Sequence, residues 1–187
     1  RSIAVDLKAE AGLKFAKELV CASDVLIENF GAGVLDRLGL GYDVMQKINP
    51  NLVYCALKGF LSGPYEKRAA LDEVVQMMGG LAYMTGPEGN PMRAGASVND
   101  VMGGLFGVIA IQAALLERHQ TGKGTFVRSG LFESNMFLVA QHMVQYRQTG
   151  IAAAPMPERV SAWAVYDVFA TADGKKIFVG VVSDKQW

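Results

Sequence analysis

The chain has 187 residues, 51% of them hydrophobic and 19% charged, with 18 acidic and 18 basic side chains that cancel. This length accommodates one domain with a substantial core, or one domain and the start of another, and the composition is that of a folded chain rather than a disordered one. A net charge of zero removes any global attraction to nucleic acid or to an anionic membrane, so an anionic ligand has to be held by a local cluster.

Residues 2–6 read as a short β-like run. Residues 9–21 follow with Leu13, Ala16, Leu19 and Val20 on one helical face. Residues 24–28 form a second strand, residues 34–38 and 43–48 two short helical turns stopped by Pro50, and residues 51–57 a third strand. Strand, helix, strand, helix, strand at this spacing predicts parallel βαβ units, with apolar strands buried on both faces. Residues 72–84 read as one helix and residues 85–98 as a Gly/Pro-rich loop. A long helix is expected over residues 100–119, carrying Gly103, Gly104 and Gly107 among its alanines. Glycine costs a helix about 1 kcal/mol against alanine, so these positions suggest close approach of a neighbouring backbone or of a ligand. Residues 120–124 make a turn, 125–129 a strand, and 131–149 an amphipathic helix. Residues 152–157 have linker composition, and residues 165–170 and 176–182 flank an ADGK turn as a β-hairpin. A boundary is expected near residues 151–162.

Cys21 and Cys55 both lie in apolar stretches and read as small buried hydrophobes. Lacking CxxC spacing, they form neither a disulfide framework nor a zinc site, and a reducing, cytoplasmic setting fits. No run of 18 uninterrupted apolar residues occurs, so no membrane span is expected. The first residues read as strand rather than signal peptide, and Trp187 falls inside a strand-like run. The chain is therefore expected to be an internal piece of a longer protein.

Most local motifs carry little chemistry. Gly31, Ala32 and Gly33 sit where a dinucleotide fingerprint would, but Asp36 replaces its last glycine and would repel a pyrophosphate. Gly122, Lys123 and Gly124 lack the partners of a phosphate-binding loop and read as a tight turn. His119 and His142 have no metal-ligand spacing, and Ser62, Ser97 and Ser134 lie outside any nucleophile elbow. Asp100 stands apart, at the start of the long helix and directly after the Gly-rich loop. A plain N-cap aspartate would look the same. The positive helix end also favours its ionised form, which a carboxylate nucleophile needs, and Gly103 and Gly104 leave room for a substrate. Asp72 and Glu73 look like first-turn acids of their helix.

Five blocks occur in order along the chain: RSIAVDLK at residues 1–8, DVLIENFGAGVLDRLGLGYD at 24–43, INPNLVYCALKGF at 48–60, VNDVMGGLFGVIAIQAALLERHQTGKGTFV at 98–127 and VYDVFATADGKKIFVGVVSDKQW at 165–187. Together they resemble the family III CoA-transferases (CaiB/BaiF-like), which include formyl-CoA and carnitine-CoA transferases. The resemblance implies an α/β fold: residues 1–155 as part of a large Rossmann-like CoA-binding and catalytic domain with a parallel sheet, and residues 156–187 as a linker and the start of a smaller α+β domain. It also implies an interlocked homodimer. It places the family's catalytic aspartate on Asp100 and its CoA contacts on Val5, Lys8, Asn29, Phe30, Arg37 and Leu38, with Lys58 a further candidate. Coenzyme A would enter as an acyl-CoA substrate beside a carboxylic acid, with no metal required, because a thioester and an anhydride are close in energy. The implied path runs through an aspartyl mixed anhydride and an aspartyl-CoA thioester, with Gly-rich loops offering backbone N–H groups to developing oxyanions. At the position where transferases often carry Tyr, and the acyl-CoA racemases of this fold His, this chain has Leu71. A racemase or epimerase would need its base from elsewhere. The other alternative is an inactive CoA-binding relative.

Overall fold

A continuous apolar run cannot alternate between core and solvent, so it has to be covered on both faces. The computed structural model describes residues 2–161 and 163–187. In it β2 (Val53–Lys58) is the central strand of a three-stranded parallel sheet, between β1 (Val25–Glu28) and β3 (Phe126–Gly130). Val53, Tyr54, Cys55 and Ala56 are all buried. Val25 stands opposite Val53, and Tyr54 opposite Phe126.

Because side chains alternate along a strand, β2 serves two layers. Tyr54 and Ala56 join Val20 of α1 (Glu10–Cys21), Leu35 of α2 (Val34–Arg37) and Met45 of α3 (Tyr42–Ile48) in one core. The Tyr54 hydroxyl donates to the Leu40 carbonyl at 3.2 Å, and burial pushes that phenol well above its ordinary pKa. The opposite face carries α6 (Val98–Thr121). There a Cβ at Gly107 would lie 2.8 Å from Leu57 Cδ2 and 3.7 Å from Cys55 Sγ. Side-chain-free positions thus let α6 settle onto β2.

A left-handed Gly122 ends α6 at φ 68, a conformation glycine adopts without steric cost. Chain reversal then leads into β3 and α7 (Leu131–Thr149). Beyond residue 150 the hairpin forms as expected, β4 (Val165–Ala170) antiparallel to β5 (Lys176–Val181).

Five expectations change. Not every strand is buried on both faces: Ile27 of β1 is 56% exposed, because α6 packs mainly on β2 and β3. Residues 2–6 form no strand; Asp6 instead accepts the Ala9 N–H through its carbonyl and the Lys8 N–H through its carboxylate, turning the chain into α1. The helix expected over residues 72–84 is two, α4 (Asp72–Met78) and α5 (Leu81–Thr85), because Gly80 takes φ 83 between them. Cys55 is buried but Cys21, at the end of α1, is exposed. And α7 is not amphipathic in the ordinary sense: Ser134 and Asn135 are among its buried residues while Phe137 and Val144 face outward. By length and composition α6 could cross a membrane, although it packs here on β2, β3, α4 and α7.

Candidate active site

Parallel strands point their carboxyl ends to one edge of the sheet, and α/β proteins build clefts there. A cleft of about 490 Å³ opens at this edge, lined by Asn29 after β1, by Leu57, Lys58 and Gly59 at the end of β2, by Leu71, Asp72 and Glu73 at the start of α4, and by Ser97, Asp100, Gly103 and Gly104 at the start of α6. Asp100 is therefore brought together with Asn29 and Lys58, 71 and 42 residues earlier in the chain.

Asp100 does not cap its helix. Ser97 holds the N-cap position and makes no side-chain capping bond. The orphan N–H groups of the first turn are met from α4 instead: Oδ1 of Asp72 accepts the Asn99 N–H at 2.7 Å and the Asp100 N–H at 3.1 Å. Asp72 is 4% exposed, and its other oxygen accepts from the Gln76 amide. The Asp100 carboxylate, by contrast, is exposed and receives no hydrogen bond among the described residues. Its pKa is raised above the usual aspartate value, first by partial loss of water and then by the nearby charges of Asp72 and Glu73. The positive end of the helix dipole alone would act in the opposite direction. Asp72 neutralises that helix end, so partial loss of water, with like-charge repulsion second, prevails over the macrodipole.

The remaining surroundings are largely spent. Lys58 Nζ reaches both Glu28 oxygens, at 2.6 and 2.8 Å, and the Phe30 carbonyl at 2.7 Å. It ties β1 to β2 and fixes the loop carrying Asn29 and Phe30. Glu73 is ion-paired with Arg93. Leu71 is 69% exposed at the lip of the cleft and supplies neither acid nor base. Around Gly104 nothing would meet an added Cβ within 4 Å, whereas at Gly103 it would lie 2.9 Å from Leu131 Cδ2. The two glycines therefore serve different ends, one leaving cleft space and the other packing. From the Gly/Pro-rich segment only Ser97 lines the cleft.

The other expected CoA contacts lie outside this lining. Phe30 is 44% exposed. Lys8 and Arg37 are exposed, and Val5 is half-buried. Leu38 packs against the core. A second cleft of about 310 Å³ lies beside the first, lined by Glu28, residues 31–33, Lys58 and Arg128, so that Lys58 borders both. Among the described residues no group of three His, Cys, Asp or Glu is placed to hold a metal ion.

What the sequence did not reveal is the support behind Asp100. Asn99 is fully buried, donates to the Asp72 carbonyl at 3.4 Å, and accepts from Asn135 of α7 at 3.2 Å. Gln76 accepts the Ala94 N–H at 2.7 Å. Asp72 and Gln76 share one helix face by their spacing of four, which hints at a polar pair, but nothing local identifies Asn99 or Asn135 as its partners.

The family model described as CoA-transferase family III matches residues 1–187. The chain is 36% identical to succinyl-CoA:glutarate CoA-transferase of Mus musculus over 189 residues, covering all of this chain and 43% of that protein. It is 38% identical to acetyl-CoA:oxalate CoA-transferase of Acetobacter aceti, covering 92% of this chain and 45% of that protein. Among solved structures, a CAIB/BAIF family protein from Brucella suis superposes with a TM-score of 0.86 at 39% identity, over 93% of this chain and 47% of that one. The chain thus spans less than half the length of these relatives.

Proposed function

The chain belongs to CoA-transferase family III, and from that premise we propose that the whole protein moves CoA from an acyl-CoA thioester to a carboxylic acid, with Asp100 as nucleophile. The observation that carries this reading is the Asp100 carboxylate: exposed in the cleft, unbonded among the described residues and more basic than an ordinary aspartate. Lone pairs that no donor occupies are available to attack.

Asp100 attacks the thioester carbonyl, the C–S bond breaks, and CoA leaves as thiolate. The thiolate attacks the aspartyl carbonyl of the mixed anhydride, releasing the donor acid as a carboxylate and leaving an aspartyl-CoA thioester. An incoming carboxylate attacks that thioester, forming a second anhydride and freeing the thiolate again. Attack of the thiolate on the new acyl carbonyl gives the product acyl-CoA and restores the Asp100 carboxylate. Each step exchanges one acyl bond for another, and no proton is gained or lost overall. Racemisation of the acyl group would need two acid/base groups flanking the α-carbon. Leu71 provides none, Asp72 is occupied by N–H donors, and Glu73 is held by Arg93. The reading includes a homodimer, supported by the apolar side chains that α6 and α7 leave exposed.

The test is mass spectrometry of the full-length protein incubated with succinyl-CoA or acetyl-CoA and then hydroxylamine. A hydroxamate on Asp100 is expected. An unmodified Asp100, or an adduct on another residue, would refute the assignment.

A further inference from the structure

Asp100 stands in the third position of α6. An aspartate in the first helical turn ordinarily satisfies itself by accepting nearby backbone N–H groups, since several of these lack intrahelical partners. Here the competing acceptor comes from another helix. The Asp72 carboxylate, held within the fold by the Gln76 amide, takes the N–H groups of Asn99 and of Asp100 itself. Those are the donors the Asp100 carboxylate could otherwise fold back upon.

We propose that Asp72 is a positioning residue: by occupying the N-terminus of α6 with a buried carboxylate, it denies Asp100 a capping role and holds that side chain free to face the cleft. The inference rests on Asp100 being the reactive carboxylate and adds how its geometry is set. Two further observations support it. Asp72 joins a buried polar chain that runs through Asn99 to Asn135, linking α4, α6 and α7, so the capping acceptor is fixed from three helices. The side chain of Asn135 also lies against Gly79, where a Cβ could not fit, so the close approach of α7 to the end of α4 is built into the packing. The charges around Asp100 are few: from α4 Asp72 and Glu73, the latter paired with Arg93 of the following loop, and from β2 Lys58, already paired with Glu28. Asp72 is therefore the carboxylate whose removal should alter Asp100 most directly.

The test compares wild type, Asp72→Asn and Asp72→Glu in the full-length protein by two measurements. The first is carbodiimide labelling of Asp100 as a function of pH, quantified by mass spectrometry; it reports protonation of that carboxyl whether or not the enzyme turns over. The second is steady-state transfer, with kcat and KM determined separately. Asp72→Asn keeps the shape and an acceptor oxygen but loses the charge. It is expected to move the labelling midpoint to lower pH and to lower kcat about tenfold or more, with KM within about threefold. Asp72→Glu, which keeps a carboxylate, is expected to recover part of kcat. Unchanged kcat in Asp72→Asn, an unmoved labelling midpoint, or equal losses in Asp72→Glu and Asp72→Asn would each overturn the proposal. Chemical denaturation of the same variants separates a folding defect from a positioning one: a loss of kcat that tracks a loss of folded protein also overturns it. If hydroxylamine traps an adduct elsewhere while the labelling midpoint still shifts, the nucleophile assignment fails and the control of Asp100 by Asp72 stands.

Discussion

A carboxylate held more basic than usual by its neighbours has a stability cost that can be read out. Ionisation of Asp100 is disfavoured in the folded state by partial loss of water and by Asp72 and Glu73. Its folded-state pKa therefore lies above the unfolded one, so the stability tied to this group is present at low pH and lost as pH rises through the elevated value. Asp100→Asn is accordingly expected to melt above wild type at pH 7 in thermal scans, with the advantage vanishing below the ordinary aspartate range near pH ~4. Transfer should fall by about 10³-fold or more in the same variant. For wild type, the acid limb of kcat/KM should lie at higher pH than an unperturbed aspartate would give, because the proposed nucleophile is the carboxylate form. Lys58 belongs to a different class of residue. Its ammonium is committed to Glu28, whose side chain is 5% exposed. Lys58→Ala would strand that carboxylate, and a loss of about 2 kcal/mol in urea denaturation is expected, recovered in part by adding Glu28→Gln.

At the scale of elements, α6 concentrates the design. Its glycines interrupt helix propensity, but each does so for a reason that packing alone discloses. Gly107 faces β2, so Gly107→Leu should overpack that contact and cost about 1–3 kcal/mol by chemical denaturation. Gly104 faces open space in the cleft. Gly104→Ala should leave stability unchanged or raise it by up to about 1 kcal/mol, while narrowing the approach to Asp100 and lowering kcat/KM. A reversal of those two outcomes would mean that α6 is rotated relative to the sheet. The break between α4 and α5 has the same logic. The apolar spacing through residues 72–84 is helical throughout, and only the left-handed Gly80 divides it.

At the scale of the molecule, the chain leaves many large apolar side chains uncovered. On α6 Val101, Leu105, Val108, Ile109 and Leu116 are all at least half exposed, and on α7 so are Phe137, Met143, Val144 and Tyr146. Contiguous apolar surface of this kind marks interaction sites or promotes association. The 187-residue chain produced by itself is expected to bind ANS and to self-associate in light scattering, and the full-length protein is expected to do neither beyond a discrete oligomer. Much of the architecture was legible beforehand. The parallel sheet, the long glycine-bearing helix, the hairpin and the position of Asp100 at a helix start all follow from periodicity, turn chemistry and dihedral preference, which act over a few residues. The family resemblance rested on motifs of the same short range. What only the tertiary structure decided was the environment of Asp100. Asp72 caps a helix that begins 26 residues later in the chain, and Asn135 reaches Asn99 across a separation of 36. Such partners are chosen by how helices pack on a sheet, and a local pattern that makes Asp72 a first-turn acid carries no information about which distant N–H groups it will meet.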